Sequence, residues 1–412
     1  MIRRRLLKET LVMVLAGGQG ERLYPLTKER SKPAVPFGGI YRIIDISLSN
    51  CLNSDLRRIF VLTQYKSHSL DRHLKLAWDM FDAEIGEYLY SVPPQLRVGE
   101  RWYQGTADAI YQNINLLESD RPERVLILSG DHIYKMDYAE MIAAHVEKQA
   151  AATVAAVEVP VSQASSFGVL QVENGNRISG FEEKPTRPTP LPGRSETALI
   201  NMGVYVFNTD ALVRAVIEDA KRSGSQHDFG RNIIPAMVPQ GSVYAFPFVD
   251  ENRKEVKYWR DIGTLDSYYE ASMDLVSVSP IFNLYDDSWP IRTYAGQHPP
   301  AKMVFAQTDA EGGRRGEALD SLVSPGVIVS GGRVVHSILS PSVRINSFAH
   351  VEESILMEGV DVGRNARIRR AIIDKYVQIP AGCSIGYDPG EDARRFLVSP
   401  QGIVVIPKGA LL

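Results

Sequence analysis

Only two cysteines occur in 412 residues, Cys51 and Cys383, and they stand far apart. Such a pair supplies neither a disulfide framework nor a cysteine-rich metal site, and it fits a reducing cytoplasm. Charge of one sign is lacking as well: the formal net charge is -3. A chain that binds nucleic acid ordinarily carries a basic excess, so no nucleic-acid partner is expected. No apolar run approaches the ~20 residues that a membrane-spanning helix needs, so no membrane partner is expected either. The opening MIRRRLLKETLVMVLAGG has the basic start of a secretion signal, but Lys8 and Glu9 interrupt it and glycines end it early. What the chain does have is bulk. Hydrophobic residues make up 44% and charged residues 23%, the balance of a soluble globular protein with core enough for more than one domain.

The rest of the chain is organised around residues 11–39, LVMVLAGGQGERLYPLTKERSKPAVPFGG. Leu11 to Leu15 is an apolar run of strand length, and it stops at Ala16, Gly17, Gly18 and Gly20. Glycines at a strand end let backbone N–H groups approach an anion with no Cβ in the way. Arg22 and Lys32 follow, and both side chains suit phosphate oxygens. The bland alternative is an ordinary strand-to-loop turn with two solvated cations. Two familiar phosphate motifs are absent: Leu23 replaces the third glycine of a dinucleotide fingerprint, and no GK[ST] ends a P-loop.

Residues 1–280 alternate strand and helix patterns. Strands are predicted at Val12–Leu15, Ile59–Thr63, Val125–Leu128, Thr153–Val159, Gly203–Phe207 and Val243–Phe248, and helices at Ala107–Glu118 and Tyr138–Gln149. That order predicts a doubly wound α/β sheet with ligands at the carboxyl ends of its strands. The proline-rich Arg187–Gly193 reads as a surface loop. Residues 281–319, with Pro290, Pro299, Pro300 and the cluster Gly312–Gly316, read as a link between domains. Residues 320–412 repeat with a spacing of 17: SILSPSVRINSFAHVEE from Ser337, SILMEGVDVGRNARIRR from Ser354, AIIDKYVQIPAGCSIG from Ala371. Ile338, Ile355 and Ile372 align, as do Val343, Val360 and Val377; Ile345, Val362 and Ile379; and Ala349, Ala366 and Cys383. A weaker row before them keeps Leu322 and Ile328 in register. Small or branched positions recur about every six residues, which is the hexapeptide pattern of a parallel β-helix. A stack this short exposes apolar surface and is expected to pack on the first domain or on a partner chain.

Three segments carry candidate chemistry. Val125–Leu128 ends in Ser129-Gly130-Asp131-His132, and a carboxylate just after a strand suits a hard cation such as Mg²⁺, or else caps a helix. Asp261, in YWRDIGT, is a second carboxylate of interest, or the segment is merely a capped helix start. Lys184, after Glu183 in FEEKP, suits a sugar phosphate, or the charged run forms a solvated turn.

The ordered motifs resemble one family. Residues 15–36 match the sugar-nucleotide pyrophosphorylase signature LxxGxGxRLxPLTxxxxKPxxP, and KPAVPFGG with Tyr41-Arg42-Ile43-Ile44-Asp45 is similar to glucose-1-phosphate adenylyltransferase. The resemblance runs from Leu11 to the C-terminus. It implies a Rossmann-like α/β nucleotidyltransferase domain with a mixed, mostly parallel sheet, then a left-handed parallel β-helix. It implies ATP held by Leu15, Ala16, Gly17, Gly18, Gly20, Gln104 and Gly105. Glucose 1-phosphate would be held by Tyr103, Gly168, Glu183, Lys184 and Asn201. Asn201 departs from the serine usual there; it is longer but still able to donate and accept hydrogen bonds. Asp131 and Asp261 would hold Mg²⁺, with Arg22, Lys32 and Lys184 as the catalytic cations. The motif His227-Asp228-Phe229-Gly230 is expected to be structural. The resemblance also implies anionic effectors at Arg30, Arg42 and Lys375, which could equally be surface cations, and a homotetramer. Alternatives are a relative using dTTP, UTP or GTP, and a non-catalytic sugar-nucleotide-binding subunit. An acyltransferase using His336 or His350 needs a longer β-helix.

Overall fold

Strand Thr10–Ala16 runs through a nine-stranded sheet. The structure is a computed structural model that describes residues 2–95, 102–249, 257–307 and 313–412. Leu11 and Met13 enter one apolar layer, and Val12, Val14 and Ala16 enter the other; all five are buried. Successive side chains of a strand face opposite sides, so a run that is apolar throughout needs cover on both faces. Parallel neighbours Arg58–Thr63 and Arg124–Ser129 flank it. Across the sheet the order is Ile178–Glu183, Gly168–Val172, Thr197–Asn208, Arg124–Ser129, Thr10–Ala16, Arg58–Thr63 and Tyr88–Val92. Ala152–Pro160 joins beside Thr197–Asn208 and carries Val243–Pro247.

All six predicted strands form. Three more, Tyr88–Val92, Gly168–Val172 and Ile178–Glu183, lie toward the sheet's margins and mix polar with apolar residues. The helix expected over Ala107–Glu118 divides into Thr106–Tyr111 and Ile114–Asp120. Asn113 stands between them, and its side-chain amide donates to the Ala109 carbonyl at 2.8 Å, competing with the backbone ladder. Among the described residues no helix is long and apolar enough to cross a membrane.

The C-terminal rows form a parallel β-helix with three ladders of short strands, and Ile338, Ile355 and Ile372 pair in register. The aligned isoleucines have a use that their spacing did not reveal. Leu339, Leu356 and Ile373 fill the interior of the helix, while Ile338, Ile355 and Ile372 join Ile43, Ile46, Tyr268 and Tyr269 in a buried layer against the first domain. This is the expected packing on the first domain.

Two details differ from the sequence reading. Leu322 pairs with Ile338, but Ile328 pairs with Arg344 and Val329 with Ile345, so that turn is one residue shorter than those after it. The stack also begins before residue 320: Lys302–Val304 already pairs with Ile328–Ser330. Nor is the linking segment loose. Phe282 and Ile291 are buried, Trp289 donates to Asn50 at 2.8 Å, and Thr293 donates to Asp45 at 2.7 Å. Gly312 lies outside the described residues.

Candidate active site

Glycines shape the mouth of the site. Gly20 has φ +66°, a conformation that strains other residues, and a Cβ there would lie 3.0 Å from Thr27 and 3.1 Å from the Lys32 Cβ. The Thr27 hydroxyl fixes the loop by donating to the Gly20 carbonyl at 2.9 Å. Gly17 rests on Gln64, where a Cβ would meet the Gln64 side chain at 3.0 Å. Leu15 pairs with Ser129, and its carbonyl accepts from Gly130 N at 3.1 Å, so the glycine loop and the Asp131 turn share one edge of the sheet.

The two aspartates, 130 positions apart in sequence, come together through a short ribbon. His132–Tyr134 pairs antiparallel with Trp259–Asp261, placing Asp261 opposite His132. Ligand atoms of Asp131, His132 and Asp261 all fall within 4.8 Å of one another. Lys32 lies among them, its Nζ 2.6 Å from Asp131 Oδ2 and 3.3 Å from Asp261 Oδ1. Burial pushes the Asp131 carboxyl up, but the charges of Lys32 and His132 and hydrogen bonds from Lys32 and Ser129 outweigh it and hold the group well below the carboxylate range. Burial likewise disfavours the Lys32 ammonium, and the two aspartates more than compensate, raising its pKa. Two carboxylates and an imidazole so close together fit a divalent cation. Arg22 reaches the same place: a Cβ on Gly263 would sit 3.0 Å from Asp261 Oδ2 and 3.4 Å from Arg22 Nη2. Of this set, His132 was not expected from the sequence, although it follows Asp131 directly in the motif.

A second cluster forms beside the first. Glu183 pairs with Gly168 across adjacent strands. Its carboxylate is wedged between two glycines, since a Cβ on Gly168 or on Gly230 would lie 2.8 Å from Glu183 Oε2. Burial, then the nearby Asp228 charge, raises the Glu183 pKa. Lys184, with φ 50°, extends its half-exposed ammonium 3.8 Å from Glu183. Asn201 sits at an irregularity of its strand. Its amide donates to the Tyr205 hydroxyl at 2.7 Å and accepts from Gly203 N at 2.9 Å. Asn201 therefore braces the irregularity.

The 103–106 loop is locked to the segment that sequence reasoning treated as structural. Gly105 packs flat on it: a Cβ would meet the carbonyls of Gln226 and His227 at 2.3 Å. Thr106 donates to Asp228 at 3.1 Å and accepts from Phe229 N at 3.0 Å. Tyr103 accepts from Asn113 at 2.8 Å, and Gln104 N donates to Asp108. Asp228 thus touches the loop and influences Glu183, a bridging role hidden in the sequence because its partners lie far away along the chain.

The three cations expected at an effector site line a single cavity of about 500 Å³ between the domains. Arg30 differs from that expectation in that its charge is met by Asp374 in a buried bidentate pair. Lys375 contacts Glu358 at 2.6 Å, and Arg42 rests on neutral oxygens of Ala34 and Ser69.

The Nucleotidyl transferase family profile matches residues 11–278, and the profile of the GlmU-like C-terminal hexapeptide region matches residues 299–406. Similar curated proteins include the glucose-1-phosphate adenylyltransferase of Rhodopirellula baltica, 54% identical over 99% of this chain and 92% of the relative. That of Koribacter versatilis is 54% identical over 97% and 95%, and glucose-1-phosphate adenylyltransferase 2 of Vibrio cholerae is 49% identical over 98% of each chain. With both domains matched and such identity end to end, the chain belongs to the glucose-1-phosphate adenylyltransferase family.

Proposed function

We propose that this chain joins ATP to α-D-glucose 1-phosphate, making ADP-glucose and releasing pyrophosphate, in service of glycogen-type α-glucan synthesis. One observation carries the reading: Asp131, Asp261 and Lys32 converge at the carboxyl ends of the strands, beside the glycine loop. A phosphate oxygen of the sugar phosphate attacks the α-phosphorus of ATP, and the bond to the bridging oxygen of the β-phosphate breaks as pyrophosphate leaves. Two polyanions must be aligned against their mutual repulsion, so positioning and charge neutralisation are the chemistry required of the protein. Lys184 holds the attacking phosphate, and Glu183 accepts from a sugar hydroxyl. Arg22 and Lys32 take up negative charge on the departing pyrophosphate. Asp131 and Asp261 would hold Mg²⁺, which when bound polarises the α-phosphate.

A pyrophosphate-release assay with glucose 1-phosphate and ATP, dTTP, UTP or GTP tests the reading. ATP is expected to give the fastest release. A preference for another nucleotide would move the chain to a sister activity, and no release with any of them would favour a non-catalytic subunit.

Regulation belongs to the same proposal. The interdomain cavity, lined by Arg42, Arg72, Lys375 and His298 among others, suits an anionic effector such as a sugar phosphate or AMP. Rates with fructose 1,6-bisphosphate, fructose 6-phosphate, pyruvate and AMP would show it, and a flat response to all four would remove it. A homotetramer is the expected assembly, which light scattering can test.

A further inference from the structure

The Lys32 ammonium stands against the two carboxylates that would hold a metal, 2.6 Å from Asp131 Oδ2 and 3.3 Å from Asp261 Oδ1. Two cations cannot share those oxygens at contact distance, because their repulsion in a partly buried site is large. We propose that Lys32 is a built-in competitor for the divalent cation, and that phosphate oxygens of the nucleotide, by taking over its charge, favour its release from the two aspartates.

The surroundings favour such an exchange. Two partly buried carboxylates so close together are stabilised by a cation between them. Lys32 supplies one covalently, from the buried turn Lys32–Ala34. The lysine stem passes beside Gly20, whose missing side chain leaves it room: a Cβ there would sit 3.1 Å from the Lys32 Cβ. The ammonium can therefore pivot on its flexible stem from the aspartates toward the glycine loop. Metal and polyphosphate then promote each other's binding, since each removes a cost from the other's entry. This rests on the proposed roles of Asp131, Asp261 and Lys32, but binding alone tests it.

Mn²⁺ binding to the nucleotide-free enzyme is measured by calorimetry, for the native sequence and for Lys32→Gln. The variant is expected to bind Mn²⁺ about tenfold tighter or more, and to gain more thermal stability from Mn²⁺ than the native chain gains. Equal or weaker binding by the variant would overturn the proposal. A second measurement needs no variant: reductive methylation of Lys32, followed by mass spectrometry, is expected to speed up several-fold at Mn²⁺ concentrations that saturate the native enzyme. An unchanged rate there would also overturn it. If the native enzyme makes ADP-glucose while Lys32→Gln binds Mn²⁺ no better, the exchange fails and the functional reading stands. If Lys32→Gln binds tighter but the native enzyme forms no ADP-glucose, the reverse holds.

Discussion

The guanidinium of Arg30 grips the Asp374 carboxylate with both terminal nitrogens, at 2.9 and 3.1 Å. Arg30 belongs to the nucleotidyltransferase domain and Asp374 to the β-helix, and both side chains are almost wholly buried. Lys32, two residues further on, reaches Asp131 and Asp261. One short segment thus ties the β-helix to the Asp131–Asp261 cluster. Breaking a buried pair leaves a charge without compensation, so Arg30→Ala or Asp374→Ala should each cost about 3–5 kcal/mol. Replacing both together, as Arg30→Met with Asp374→Leu, should restore most of the loss. Denaturant titrations of the three variants would check this; a double variant as unstable as the singles would contradict it.

Asp131→Asn should lower turnover by about a thousandfold or more, because it removes a ligand charge where the α-phosphate must be polarised. The fold should survive, since Lys32 keeps Asp261 as a partner. Turnover and thermal melting measured on one preparation separate the two effects. Near-native turnover would refute the metal role.

Lys184→Ala should act on the sugar phosphate. Its ammonium is half exposed and, among the described residues, ion-pairs only with Glu183 at 3.8 Å, so little stability depends on it. A charge-assisted hydrogen bond is worth about 1.5–3 kcal/mol. The apparent KM for glucose 1-phosphate should accordingly rise about 10- to 100-fold, with the KM for ATP nearly unchanged. A change confined to ATP would assign Lys184 to the other substrate.

Asp228→Ala tests the bridge that the structure adds. Asp228 accepts from Thr106 at 3.1 Å and from Arg231 N at 3.0 Å, and its charge helps raise the Glu183 pKa. Its loss should loosen the 103–106 loop, and it should remove one of the influences that keep Glu183 above the usual carboxylate range. Both KM values should worsen, and the acid limb of the activity profile should move to lower pH, provided Glu183 acts ionised. An unmoved acid limb would show that Asp228 serves the loop alone.

What was legible in the sequence was local or periodic. The run Leu11–Leu15 announces a strand covered on both faces, and it is buried on both. The 17-residue spacing announces a β-helix, because each row repeats the same covalent geometry. Contacts between distant segments were not legible. Asp261 reaches Asp131 only because Trp259–Asp261 pairs with His132–Tyr134, and nothing local at either site encodes that register. The destination of Ile338, Ile355 and Ile372 was hidden for a similar reason: an apolar column looks the same whether it faces inward or toward a neighbouring domain. That Arg30 has a buried counter-charge was hidden too, because Asp374 lies in the other domain. The three unforeseen strands lie toward the sheet's margins, where polar residues break the alternation that marks a buried strand.

His145 provides a pH test of stability away from the catalytic chemistry. It is buried, bonding Thr153 at 2.8 Å and Asn208 at 3.2 Å, and burial lowers its pKa from 6.5 to about 4. The folded protein therefore holds the ring neutral where the unfolded chain would protonate it. Stability from this group is complete above pH 6.5 and is lost as the pH falls toward 4. At the lower end the loss amounts to about 3 kcal/mol, from the size of that shift. His145→Gln keeps hydrogen-bonding groups but cannot titrate, so its unfolding free energy should fall less on acidification than that of the native chain. The difference between the two should open between pH 6.5 and 4. Parallel curves across that range would show that the imidazole is protonated as easily in the fold as outside it.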